Sequence, residues 1–125
     1  MRDFKTLDVW KMAMEINKEI YEISKRFPSE EKYGMFSQTR RSSISIALNI
    51  AEGCGRKTEK EFITFLYNAM GSLKELECQM FIAKDLGYVD NGVFEKMSGE
   101  LDLLGKKFIS FIKYIEQKNG VKKNE

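Results

Sequence analysis

Residues 94–115 read FEKMSGELDLLGKKFISFIKYI. Phe94, Met97, Leu101, Leu104, Phe108, Phe111 and Ile115 recur at steps of 3, 4, 3, 4, 3 and 4. That alternation lines up large apolar side chains on one face of an α-helix, whereas a half-buried strand would repeat every second residue. Asp90 stands where an N-cap is needed, and Asn119-Gly120 ends the run. So long an apolar stripe must be covered, and the preceding sequence supplies the cover.

Thr58-Glu59-Lys60-Glu61 reads as a capping box, with Thr58 capping the Glu61 amide and Glu61 reaching back to Thr58. Phe62, Leu66, Ala69, Leu73, Leu76, Met80 and Ala83 follow at alternating steps of 4 and 3, and Gly87 suits the left-handed position after a helix end. Earlier still, Thr39, Ser43, Ile46, Ile50 and Gly53 form a stripe of smaller side chains, which lets a neighbouring helix approach closely. Val9, Ala13, Ile16, Ile20, Ile23 and Phe27 complete the set, with Thr6 as expected cap and Phe27-Pro28 as the stop. The spacing predicts helices over about 7–27, 34–54, 59–86 and 91–118, so that residues 1–119 form one domain and 120–125 a flexible tail. The expected fold class is all-α, an antiparallel up-down-up-down four-helix bundle.

Composition fits that reading. The 125 residues are 42% apolar and 32% charged, with a single Pro, as a small globular domain requires. The net charge of +2 permits a nucleic-acid partner only if the cations gather on one face. The chain has no His, which removes Ser-His and Cys-His nucleophile pairs and the commonest general base. No phosphate-binding Gly loop and no acid/base carboxylate pair is evident, so the expectation is a protein that is not an enzyme and needs no metal or cofactor. Cys54 and Cys78 lack metal-site spacing and read as buried free thiols of a reducing compartment. With a polar start and no apolar run of membrane-spanning length, a cytoplasmic location is expected.

Some residues ask for more than a core. In Ile44–Ala51, ISIALNIA, Ile46 and Ile50 serve the seam, while Ile44, Leu48 and Ala51 fall on another side. An apolar back predicts contact with another copy. Trp10, Met14 and Tyr21 form a second line on the first helix, either an interface or the margin of a wide core stripe. Ala69, Gly71 and Ser72 suggest a close helix contact, within the bundle or between chains. Arg40-Arg41, and Arg56-Lys57 just ahead of a helix start, are candidates for phosphate contact. Arg56 is equally placed to pair with Glu52 four residues back. Asn49 and Glu52 are expected in a polar network, with Gln38 and Arg41 as available partners.

Several segments, in order, carry a resemblance: Leu7-Asp8-Val9-Trp10-Lys11, Tyr33-Gly34-Met35, Gln38-Thr39-Arg40-Arg41-Ser42, Asn49-Ile50-Ala51-Glu52-Gly53 and Gly55-Arg56. Over nearly its whole length the chain resembles the four-helix proteins found as reading frames within intervening sequences of bacterial 23S rRNA genes, often labelled S23 ribosomal protein. The accessory variability determinant of diversity-generating retroelements belongs to the same family. The resemblance implies a homopentameric barrel that binds RNA or DNA through basic residues without catalysis, with a reverse transcriptase as a further possible partner. Arg40, Arg41 and Arg56 match the basic positions and Lys57 extends them. Ser42 stands where the family often has alanine. The competing reading is a protein–protein scaffold or accessory subunit with no direct role on nucleic acid.

Overall fold

A computed structural model describes residues 2–119; the tail expected at 120–125 lies outside the described residues. Four helices follow in order: α1 (Asp8–Ser24), α2 (Met35–Cys54), α3 (Glu59–Asp85) and α4 (Asn91–Asn119). Short 3-10 turns at Phe4–Thr6 and Ser29–Glu31 precede α1 and α2.

Side-chain pairings show that successive helices run in opposite directions. From α2 to α1, Arg40 reaches Ser24 while Ser43 reaches back to Asn17. From α2 to α3, Ser42 meets Glu75 and Ser45 meets Ser72. From α3 to α4, Phe81 lies against Phe94 and Phe62 against Phe111. Lys96 of α4 closes the ring on Glu19 of α1.

The expected stripes of α1, α2 and α3 are all buried. In α4 the seam shifts near its end, where Ile112 is buried and Phe111 only half-buried, its ring edge-on to Phe62 at 5.9 Å. A straight helix turns every 3.6 residues, so a strict 3-4 alternation drifts off the seam. α1 is also shorter than expected, since its α-helical hydrogen bonding stops at Ser24, although Phe27 remains buried in the turn that follows. Thr6 does not cap α1. It sits inside the first 3-10 turn, its hydroxyl donating to the Asp3 carbonyl, and α1 starts at Leu7 without a side-chain cap.

The start of α3 follows half of the capping-box expectation. The Glu61 amide donates to Thr58 Oγ1 at 3.1 Å, while the Thr58 hydroxyl, not its amide, meets the Glu61 carboxylate. At the other end of α3, Gly87 takes φ +76°, its amide donating to the Lys84 carbonyl and that of Tyr88 to the Ala83 carbonyl. This two-bond closure satisfies carbonyls the helix end would otherwise leave free. Asp90 caps α4 by accepting from the Val93 amide at 2.8 Å.

α2 and α3 make the most extensive helix contact. It is built from small and hydroxyl side chains. Ser45 and Ser72 hydroxyls meet at 2.8 Å, and Ser42 Oγ lies 2.9 Å from Glu75 Oε1. A Cβ on Gly53 would stand 2.8 Å from the Phe65 Cβ, so only glycine permits this approach. Ala69 is buried in the same seam, but Gly71 faces outward with open space where a Cβ would sit, so the close contact within the bundle does not involve it.

Candidate nucleic-acid interface on the second helix

Two consecutive arginines of α2 take different roles. Arg40 is fixed from several directions. Its Nε donates to Ser24 Oγ at 2.8 Å, its Nη2 donates to the Tyr21 carbonyl at 3.0 Å, and its guanidinium stacks between the rings of Tyr21 and Phe36 at 4.2 and 3.9 Å. Arg41 is exposed and forms no ion pair among the described residues.

Both arginines line one open groove of about 670 Å³. Lys32, Tyr33 and Phe36 form one end, and Ile44 and Leu48 the other. Leu48 is 61% exposed and Tyr33 87% exposed. Three cations line this groove and no carboxylate does. The groove is thus locally positive on a chain whose net charge is only +2, and a nucleic-acid footprint needs such local clustering.

The mount of Tyr33 is anchored. Glu31, in the 3-10 turn before it, accepts from the Tyr88 hydroxyl at 2.6 Å through Oε2 and from the Met35 amide at 3.3 Å through Oε1. The first of these bonds ties the segment to the α3–α4 connection, and hydrogen bonding to Glu31 raises the Tyr88 hydroxyl pKa above its ordinary value. Lys32 Nζ lies over the Tyr33 ring at 5.5 Å.

Arg56 and Lys57 are not part of this groove. They follow α2, about 22 Å from Arg41 at 1.5 Å per residue. Arg56 takes the pairing expected of it, donating to Glu52 Oε1 at 3.1 Å, with its guanidinium over the Phe65 ring at 4.5 Å. Lys57 is exposed and has no ion pair among the described residues. Asn49 donates to the Ser45 carbonyl and hydroxyl, so it belongs to the α2–α3 seam and does not meet Glu52, Gln38 or Arg41.

The residues expected at an oligomer interface divide. Ile44 and Leu48 share the groove, and Ala51 is half-buried further along α2. The α1 line does not act as one surface. Trp10 packs edge-on to Phe4 at 5.1 Å at the core margin, Met14 is exposed, and Tyr21 is covered by Arg40. Sequence reading did not single out Lys32, Tyr33 or Phe36 as groove residues. Their signal is weak, because two of them precede the helix and follow no helical period.

Of the two cysteines expected to be buried, Cys54 is, and burial pushes its thiol pKa up, which keeps it protonated and unreactive, whereas Cys78 is exposed on α3. Among the described residues no His/Cys/Asp/Glu group is arranged to hold a metal ion, and no helix is long and apolar enough to cross a membrane.

The fold and groove define an all-α four-helix protein with a cationic, partly apolar surface on one helix. The chain belongs to the 23S rRNA-intervening sequence protein family, whose model matches residues 5–110. It is also similar to a solved structure from Bacteroides thetaiotaomicron VPI-5482, a protein of unknown function from the S23 ribosomal protein family. The two are 26% identical, with a TM-score of 0.77 over 84% of this chain and 98% of that one. No curated protein matches the chain.

Proposed function

We propose that this protein is a homo-oligomer, a pentamer by its family resemblance, that binds RNA or DNA phosphates without catalysing a reaction. The observation that carries the reading is the α2 groove, lined by Lys32, Arg40 and Arg41 with no carboxylate among its walls. Arg41 and Lys57 are the free cations of the set, and Arg56 reaches phosphate by exchanging Glu52. Arg40 contributes a fixed charge, since its donors and ring faces are engaged within the chain. Ile44 and Leu48, with Ala51 beyond them, are the surface offered to a second copy.

Phosphate contacts release counterions, so affinity falls as salt rises, with little preference among sequences. Filter binding of one RNA and one DNA at 50 and 200 mM salt should show a loss of about tenfold or more. Arg41→Ala with Lys57→Ala should weaken binding to both nucleic acids. Salt-independent binding, or affinity unchanged in the double variant, contradicts the assignment.

A second reading is favoured by the exposed Leu48 beside Ile44, which also suits a different protein. Recovery of one defined protein partner after nuclease treatment, with no nucleic-acid binding by the purified chain, would select it.

A further inference from the structure

Tyr33 is the most exposed large apolar or aromatic side chain among the described residues, yet its segment is not loose. Glu31 fastens the turn to Tyr88 and to the first amide of α2. The ring therefore stands at the mouth of the groove on a fixed base, with Lys32 over it and Arg41 along the same wall. An exposed aromatic ring on an anchored turn, beside unpaired cations, suits one arrangement of nucleic acid above others. Unpaired bases present their faces to an aromatic ring while the backbone follows the cations. A duplex keeps its base faces stacked inside and offers only phosphates and groove edges.

We propose that Tyr33 is a stacking platform for an unpaired base, so that the α2 groove takes single-stranded rather than double-stranded nucleic acid. This rests on the nucleic-acid reading above and names its substrate class. Charge favours this occupant at the Tyr33 end, because Lys32 and Arg41 line it with no carboxylate among the lining residues, and a nucleic-acid backbone brings the negative charge they lack. Leu48 lies 15 residues beyond Tyr33, on the order of 20 Å along the helix, so contact between copies at Leu48 leaves the ring free.

The test is fluorescence anisotropy at low salt with labelled oligothymidine and oligouridine of about 15 nucleotides, a length that spans one such site, and a duplex of similar length. Light scattering on the same samples reports assembly. The single strands should bind about tenfold more tightly than the duplex. Tyr33→Ala should lose about tenfold on the single strands, the worth of one stacked base, and nothing on the duplex. Tyr33→Phe should keep the affinity, since the ring and not the hydroxyl does the stacking. Equal binding of duplex and single strand, with Tyr33→Ala unchanged, overturns the stacking platform and leaves phosphate binding standing. No binding of any of the three overturns both. A change of assembly mass in Tyr33→Ala would give the ring to a second copy and overturn the proposal.

Discussion

The two faces of α2 both mix small polar and large apolar side chains. The face packed on α3 is built from Ser42, Ser45 and Gly53, while the outward face carries Phe36, Ile44 and Leu48 among cations. Hydropathy alone does not separate the faces, since Ile46 and Ile50 are buried while Leu48 is exposed. Close approach explains the difference. Small side chains let the α2 and α3 backbones come near enough for Ser45 to meet Ser72, and Ile46 and Ile50, both fully buried, supply the apolar burial. The larger side chains left outside are then available to a partner, which a monomeric bundle would not need.

The sharpest way to break this comparison uses two positions two residues apart. Ile46→Ala should cost about 2–5 kcal/mol of stability, because it opens a cavity in a closed core. Leu48→Ala should stay within about 0.5 kcal/mol in the dissociated chain. Denaturant titration at low protein concentration checks both, and equal costs would erase the distinction between the faces.

Overpacking the close seam comes next. In Gly53→Ala the new methyl would meet Phe65 and Phe62 at 2.8 and 2.9 Å. A loss of about 1–3 kcal/mol is expected, and a neutral result would show that α2 and α3 are not held at this distance. The neighbouring arginines sharpen the same point. Arg40→Ala should cost about 1–2 kcal/mol, since it removes one donor each from the Tyr21 carbonyl and the Ser24 hydroxyl and uncovers two ring faces, whereas Arg41→Ala should not move the thermal midpoint.

The smallest effect lies away from α2, at the α1–α4 seam, and serves as a control for it. Burial, then hydrogen bonding to Glu19 and its charge, pushes the Glu100 pKa up to about 7. Burial works to raise Glu19 as well, but hydrogen bonds from Glu100 and Lys96 outweigh it and hold that carboxyl below its ordinary value. One proton thus serves the pair, with Lys96 Nζ 3.1 Å from Glu19 and 3.8 Å from Glu100. Between its ordinary value and about pH 7, Glu100 keeps its proton folded and loses it unfolded. Stability should therefore fall across that window as pH rises and level off above it. The opposite contribution of Glu19 is lost only when pH falls through its depressed value. Glu100→Gln should flatten the slope between pH 5 and 7.5 in thermal melts, and an unchanged slope would dissolve the shared-proton pair.

Much of the fold is legible in the sequence. Large apolar side chains at steps of 3 and 4 marked α3 and most of α4, because burial of that size leaves few alternatives. The exchange of Phe111 for Ile112 was not legible, since FISFI offers apolar residues on both candidate faces and only the helix's true pitch decides between them. The spare apolar back of α2 could be read, and so could the arginine pair. Their union in one groove could not, because Lys32 and Tyr33 come from the turn before the helix. Nor could the inward role of Arg40, which depends on Tyr21 and Phe36 meeting across two elements.

In the function we propose, where the positive charge sits, and not its total, makes the outward face of α2 a binding surface. Arg41→Glu and Lys113→Glu each remove one positive charge and add one negative, taking the net charge from +2 to 0, the first in the groove and the second on exposed α4. Single-strand affinity of the two variants at 50 mM salt, with thermal midpoints matched, is the direct measurement. Arg41→Glu should lose about tenfold or more while Lys113→Glu loses far less. Equal losses in the two variants would contradict the account.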